Sequence, residues 1–429
     1  MDIKSKKLFS LCLILFIDAI SAGIIIPILP ELFLNSSIGL IGDQSHLRGL
    51  FYSLSIAIFP LCSLFSMPIF GYLSDIFGRK KFLFIGLSGI LISYLIGAVA
   101  IYYHSIYIFL VSRFISGISV GTYTITNAMI ADITETFNEK KLAYRWPTVA
   151  YLTGFIIGPL LGSLSSIFND SHSLYIPFII GSILASFNLI FVYKYITEVP
   201  ISKKPSLISK QKVYELTHPI KNYINMIKSQ DIKYLSLSYF ALQLSTGLFI
   251  QSLNVRLAIQ FSFGPKAIGF FFFVVSIGII LNSLTIQKSV YKRFSPKIIM
   301  TVSFTLIIGL LLTQLFGVNS IGIMTQPLML SACIFIYILI NLCAPMYTAL
   351  FSVNSNQKDQ GKIMAFCGQL YSVSWFSSGL LIGFLVFNDI HIIMILCISS
   401  LFISLCFIFR YFSQSENLNL CKNNHCNAI

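Results

Sequence analysis

Gly71-Tyr72-Leu73-Ser74-Asp75-Ile76-Phe77-Gly78-Arg79-Lys80-Lys81 separates two apolar runs, each long enough to cross a bilayer. One acid, two glycines and three adjacent cations cannot lie in hydrocarbon, where charges are costly and irregular backbone finds no water to bond. The stretch therefore reads as a tight turn at a membrane surface, and every other segment is placed relative to it.

Outward from this turn, apolar runs of about 20 residues recur, each enough to span roughly 30 Å of hydrocarbon as a helix. The chain has 429 residues, of which 56% are hydrophobic and only 10% charged, whereas a soluble domain carries about 25% charged residues. The shorter alternating segments of a membrane barrel are absent. The expected fold is all-α and membrane-spanning, with twelve spans at 8–33, 49–70, 82–103, 106–131, 146–168, 173–193, 233–256, 265–287, 297–317, 324–350, 363–387 and 390–411. Lys4, Lys6 and Lys7 precede the first span and no small-residue cleavage site follows it, so that helix is expected to be retained.

The net charge is +14, and its placement matters more than its size. Arg48, Arg256 and Lys266 fall in expected loops on one side, and Arg113 falls inside span 4. Every other Lys and Arg lies on the side shared by the N-terminus, the 71–81 turn, the long middle loop and the C-terminus. This asymmetry predicts a multi-pass protein of a plasma membrane, a bacterial inner membrane above all, with both termini cytoplasmic. The basic charge is a topology signal with some affinity for anionic lipid, and no nucleic-acid partner is expected. Seven of the nine cysteines lie in spans, where a thiol acts as a small hydrophobe. Cys421, His425 and Cys426 in the tail fit no standard zinc spacing, so no metal and no cofactor are expected.

Residues 194–232 are the one long polar segment, with Pro200, Pro205, Pro219 and many lysines, and read as a cytoplasmic linker with short surface helices around Lys210–Tyr214 and Lys221–Lys228. It divides the chain into an N-terminal six-span half (1–193) and a C-terminal six-span half (233–411), followed by a tail (412–429). The halves repeat. Gly23–Leu32 aligns with Gly247–Arg256, the 71–81 turn with Lys288–Lys297, and Gly158-x-x-x-Gly162 with Gly379-x-x-x-Gly383, at offsets between 217 and 224 residues. Parallel repeats of this kind surround a central binding site in secondary transporters.

Two charges stand within spans. Asp18 lies about 16 Å into span 1 and Arg113 about 11 Å down from the opposite face in span 4, at 1.5 Å per residue. In a core of about 30 Å these depths agree to within a turn or so, so the two side chains are expected to face each other. Such a pair is either a static buried ion pair, which contributes little net stability, or a proton carrier, whose affinity is set by burial against a nearby guanidinium. Gly154, Gly158 and Gly162 recur every four residues and form a bare stripe for close helix contact, with Pro159 bending the same helix. Polar residues inside spans that are candidates to line a cavity are Tyr123, Asn127, Gln243, Gln251, Asn282, Asn341, Tyr347, Gln369 and Trp375, although each equally suits helix–helix hydrogen bonding.

The 71–81 turn resembles the loop between helices 2 and 3 of the major facilitator superfamily, whose pattern is G-x-L-x-D-x-x-G-R-[RK]-x. Asp18-Ala-Ile-Ser-Ala-Gly-Ile-Ile-Ile-Pro27-Ile-Leu-Pro30 and Arg113-x-x-x-Gly117-x-x-x-Gly121, with Asn127-Ala-Met-Ile-Ala-Asp132 beyond it, resemble the tetracycline- and drug-exporting branch. Gly154-x-x-x-Gly158-Pro159-x-x-Gly162 is similar to the motif of proton-driven antiporters. The resemblance implies twelve helices in two pseudo-symmetric bundles and a monomeric carrier of a small molecule and protons. It implies proton coupling through Asp18 and Arg113, and packing of the glycine stripe against the C-terminal half. It also implies a gating loop of Gly71, Asp75, Gly78, Arg79 and Lys80, with Asp132 beside Arg79 and Asp75 near the start of span 11. Where that branch commonly has an acid before a tyrosine in span 3, this chain has Ser93-Tyr94, and span 9 offers no acid, which makes a tetracycline–metal substrate a poor fit. The expected function is proton-coupled export of a small organic compound, with a proton symporter importing a nutrient as the alternative. The six histidines are dispersed and no nucleophile or metal constellation is present, so an enzyme is not expected.

Overall fold

The computed structural model describes residues 3–34, 39–41, 47–133, 145–163, 173–197, 232–317, 325–353, 360–385 and 389–426, and among them every regular element is helical. In the first half these are α1 (Ile3–Ile24), α2 (Leu29–Leu34), α3 (Arg48–Phe77), α4 (Arg79–Tyr102), α5 (Ile106–Ile118), α6 (Thr122–Ile133), α7 (Arg145–Ser163) and α8 (Ile176–Tyr195). In the second they are α9 (Lys233–Gln260), α10 (Pro265–Leu281), α11 (Gln287–Arg293), α12 (Pro296–Gly317), α13 (Thr325–Val353), α14 (Gln360–Leu385) and α15 (Ile390–Cys426). The expected surface helices of the linker lie outside the described residues.

Among the described residues, eight helical segments are long and apolar enough to cross a membrane. Helices also occupy the other four expected spans: α5 with α6, α7, α9 and α14. Span 4 is divided and span 7 carries Gln243, Gln251, Asn254 and Arg256, which lowers its hydropathy. The C-terminal helix runs on to Cys426, well past the expected end of span 12.

The chain sorts into two compact units: Met1–Thr217 with Gln251–Ile280 and Gly379–Phe387, and His218–Ile250 with Leu281–Ser378 and Asn388–Ile429. In the first unit α1 packs most extensively on α7, and α4 on α8 and α5. One apolar core there joins Leu11 and Ile14 of α1, Leu83 and Leu87 of α4, Ile125, Met129 and Ile130 of α6, and Leu189 and Val192 of α8. The segments 251–280 and 379–387 enter this unit through close backbone contacts. The Tyr52 hydroxyl donates to the Gln251 carbonyl at 3.0 Å, and the Ser53 hydroxyl donates to the Gly379 carbonyl at 2.8 Å.

Arg256 corrects the reading of span 7. It does not lie in a loop: α9 continues to Gln260, and the Arg256 side chain is 0% exposed, its Nε donating to Gln260 Oε1 at 3.3 Å. Arg48 likewise begins α3, half-buried, and Lys266 lies in the first turn of α10.

Candidate functional site

The turn of α1 that bears Asp18 is held by backbone contact with α7. A Cβ on Gly158 would stand 2.6 Å from the Ile20 carbonyl oxygen, and one on Gly154 or Gly162 would collide with the carbonyls of Phe16 or Ile24. Only glycine permits this approach on either side of Asp18. The glycine stripe therefore faces α1, within its own half, and not the C-terminal half that the family resemblance implied. Helical residues advance about 100° each, so Pro159 points off the stripe. Its carbonyl, with Ser163, is what meets α10, where a Cβ on Gly269 would stand 2.7 Å from the Pro159 oxygen.

Span 4 is not one helix. It breaks at residues 119–121, between α5 and α6, and the break lies against two glycines of α4: a Cβ on Gly86 would stand 3.0 Å from the Ser119 carbonyl, and one on Gly89 would collide with the Ser119 side chain. Thr122, the first residue of α6, is the hydrogen-bonding neighbour of the Asp18 carboxylate. The first turn of any helix presents N–H groups without intrahelical partners and a positive dipole end. The break thus sets a half-helix N-terminus beside the acid, a device that discontinuous membrane helices use to face anions.

Arg113 is enclosed by rings. Its guanidinium lies over Phe109 at 5.3 Å and Phe178 at 6.0 Å, and its Nε is buried without a hydrogen-bond partner. Among the described residues no ion pair joins Asp18 to Arg113. Tyr94 of α4 stands in electrostatic contact with both Asp18 and Arg113, with Tyr151 nearby and Ser21 as its hydrogen-bonding neighbour. Ser21 gives its own proton to the Ile17 carbonyl at 3.0 Å. Gly181 leaves the space for that ring, since a Cβ there would lie 2.8 Å from it. Thr122, not Arg113, is the hydrogen-bonding neighbour of Asp18, and Tyr94 stands between the acid and the arginine. Ser21, Tyr94, Thr122 and Tyr151 were not among the expected site residues. The Ser93-Tyr94 pair had registered only as a missing acid.

The 71–81 turn is sharper than a loop. Helix α3 runs to Phe77, α4 starts at Arg79, and the one residue between them, Gly78, has φ 108°, which favours glycine. Asp75 and Arg79 pair across the corner at 2.7 Å, and Lys80 donates to the Tyr193 carbonyl of α8 at 2.9 Å. Gly71 is loosely packed, its nearest neighbour being Thr124 at 3.8 Å from a built Cβ. The side chains of Asp132 and Tyr123, each within α6, lie outside the described residues.

The remaining cavity candidates separate into two kinds. Asn282 begins a single π-helical turn, Asn282–Ile286, between α10 and α11. The Asn341 Oδ1 accepts from Asn282 Nδ2 at 3.2 Å, Ser283 Oγ at 3.1 Å and Gln287 Nε2 at 3.0 Å, which clasps that turn to α13. Tyr347 is fully buried in a hydroxyl cluster with Ser238 and Ser404, beside the Tyr239 ring at 5.1 Å. These three residues hold helices together. Gln243 is buried beside Tyr239, its hydrogen-bonding neighbour; Trp375 stacks on Tyr371 at 5.0 Å; Asn127 and Gln369 are half-buried. Among the described residues no group of His, Cys, Asp or Glu is arranged to hold a metal.

Comparison with known proteins agrees with this architecture. The chain is 28% identical over 240 residues to a class H tetracycline resistance protein of Pasteurella multocida, covering 56% of each chain. It is 28% identical over 217 residues to multidrug resistance protein 2 of Bacillus subtilis, covering 50% of each. The matched region thus spans about half the length of these curated relatives. The fold is shared with the human organic anion transporter MFSD10, at a TM-score of 0.71 and 17% identity over 95% of this chain and 100% of that one. The D-xylose-proton symporter gives a TM-score of 0.71 at 13% identity over 95% of this chain and 97% of that one. The family model for the Major Facilitator Superfamily matches residues 11–379, and the chain belongs to that superfamily.

Proposed function

We propose that the protein is a proton-coupled antiporter exporting a small organic compound, either a drug-like molecule or a self-made metabolite such as a siderophore. The observation that carries this reading is the setting of Asp18: an acid midway along the first span, in no ion pair among the described residues, with the Thr122 hydroxyl as its hydrogen-bonding neighbour. A hydroxyl can donate to a carboxylate and accept from a carboxylic acid, so both protonation states of Asp18 keep a partner. A salt bridge would hold only the charged state. Arg113, one tyrosine away, supplies the positive charge that the proton's departure leaves balanced. The tetracycline and multidrug resistance names of the relatives support export of an organic compound over import of a nutrient.

In this reading the halves 1–193 and 233–411 act as two bundles around one substrate path, with residues 194–232 as their cytoplasmic linker and 412–429 as a cytoplasmic tail. The carrier works as a monomer in a bacterial inner membrane with both termini inside. The Asp75–Arg79 corner is the latch of the cytoplasmic side. An exposed pair of this kind contributes at most about 1 kcal/mol to stability. Asp75→Asn should therefore leave expression intact and slow transport; normal expression with unchanged transport would remove the latch from the account.

Direction separates antiport from symport. In inverted membrane vesicles energised to an acidic interior, an antiporter accumulates its substrate as protons leave, whereas a symporter loses preloaded substrate. Accumulation that collapses with a protonophore is the expected result, and proton-driven loss of substrate would establish the symporter.

A further inference from the structure

At the end of the first unit that carries the Gly78 corner, α1, α6 and the end of α8 part to leave a cleft of about 240 Å³. Lys7, Ser10 and Leu11 of α1, Met129 and Ile133 of α6, and Tyr195, Ile196 and Thr197 line it. We propose that this cleft binds the phosphate headgroup of an anionic phospholipid from the adjoining leaflet.

The lining is divided as an amphiphile would require. Leu11, Met129 and Ile196 belong to the apolar core of the unit and form the floor. Lys7, Thr197 and Tyr195 are exposed and form the rim. Lys7 is in no ion pair among the described residues, and the acids nearest in sequence to the lining, Asp2 and Glu198, lie outside them. An ammonium and a hydroxyl above an apolar floor match a phosphodiester joined to acyl chains. The volume is below the about 300–1,000 Å³ usual for a whole small-molecule pocket, and suits a headgroup whose tails remain in the bilayer.

The position supports a lipid over a soluble anion. The Lys80–Tyr193 hydrogen bond fixes this end of α8 to the 71–81 corner, where the chain leaves the membrane. Tyr193, Lys194 and Tyr195 are all exposed there, the aromatic and basic belt found at headgroup depth. Basic pockets between membrane helices on the cytoplasmic side take acidic headgroups. The site is separate from Asp18 and does not depend on the direction of transport.

The test uses the full chain in nanodiscs of phosphatidylcholine with or without phosphatidylglycerol, and reads the lipid that stays bound through native mass spectrometry after extraction. Wild type should retain phosphatidylglycerol in preference to phosphatidylcholine, and Lys7→Gln should retain several-fold less. Lys194→Gln, an exposed cation of the same face but not of the cleft, should retain as much as wild type. Equal losses in both variants would reduce the effect to general surface charge and overturn the site. Equal retention of the two lipids would also overturn it. Displacement of phosphatidylglycerol by inorganic phosphate would show a soluble-anion site and overturn the lipid assignment. Since Lys7 is exposed, its variant should unfold at the wild-type temperature in phosphatidylcholine alone, which keeps a misfolded variant from mimicking the result.

Discussion

The interiors of the two halves are built from different chemistry. Between α1, α4, α5 and α6 the polar groups include an acid, an arginine and the tyrosine and threonine that adjoin them. Among α9, α10, α13 and α15, apart from the buried Arg256 near the end of α9, they include hydroxyls and amides that bond to one another: Ser238, Tyr347 and Ser404 in one cluster, Asn282, Asn341 and Gln287 in another. A neutral network that bonds within itself fixes helix positions, while a charge with neutral neighbours is free to change state. By this comparison proton handling belongs to the first half and rigidity to the second.

The largest effect should come from Asp18→Asn. This substitution keeps the side chain's size and removes the titrating oxygen, so gradient-driven transport should fall by more than about tenfold, a barrier change above about 1.4 kcal/mol. Expression and thermal stability should stay near wild type. Retained gradient-driven transport would erase the distinction between the halves.

Gly158→Leu comes next. The new side chain meets the Ile20 carbonyl and the Gly23 backbone, neither of which can move as a flexible side chain would. Overpacking of this kind costs about 1–3 kcal/mol, so the variant should melt lower and also transport poorly, because α1 shifts with Asp18 on it. Gly309→Leu is the control, since a Cβ at Gly309 meets nothing within 4 Å. Equal loss at both sites would show that the α1–α7 contact is not special.

Asn341→Leu sharpens the other side of the comparison. It strips one acceptor from three donors around the π-helical turn; Asn282 and Gln287 keep the Ile338 and Asn341 carbonyls, so the loss is that of weakened hydrogen bonds, about 1–2 kcal/mol. Thermal stability should drop while the residual transport still responds to the proton gradient. Tyr347→Phe is the mildest, with one hydroxyl removed from a cluster in which Ser238 and Ser404 still bond each other. A loss of about 1 kcal/mol is expected, with coupling unchanged. Uncoupling in either variant at normal stability would place proton handling in the second half as well.

Much of this was legible in the sequence because hydropathy reports what must leave water. The helical spans, the 71–81 corner and the glycine spacing in α7 all follow from that. The partner of a surface does not. The stripe Gly154, Gly158, Gly162 announces a close contact, but nothing in its spacing distinguishes α1 from a helix of the other half. The break at residues 119–121 was hidden because Gly117 and Gly121 read equally well as packing glycines in a continuous helix. Arg256 was misread as a loop residue because a charge near a span's end is ordinarily a surface charge, and its burial depends on tertiary neighbours. Tyr94 and Thr122 carry no charge and sit in apolar runs, so only their distance from Asp18 and Arg113 gives them meaning.

The account turns on whether Asp18 releases a proton when a transported compound binds. Purified protein in weakly buffered solution, titrated with a panel of candidate organic compounds while pH is recorded, measures this directly. Wild type should acidify the medium on binding a true substrate, and Asp18→Asn should bind the same compound without acidification. Proton release of equal size from both proteins would contradict the assignment of the coupling acid.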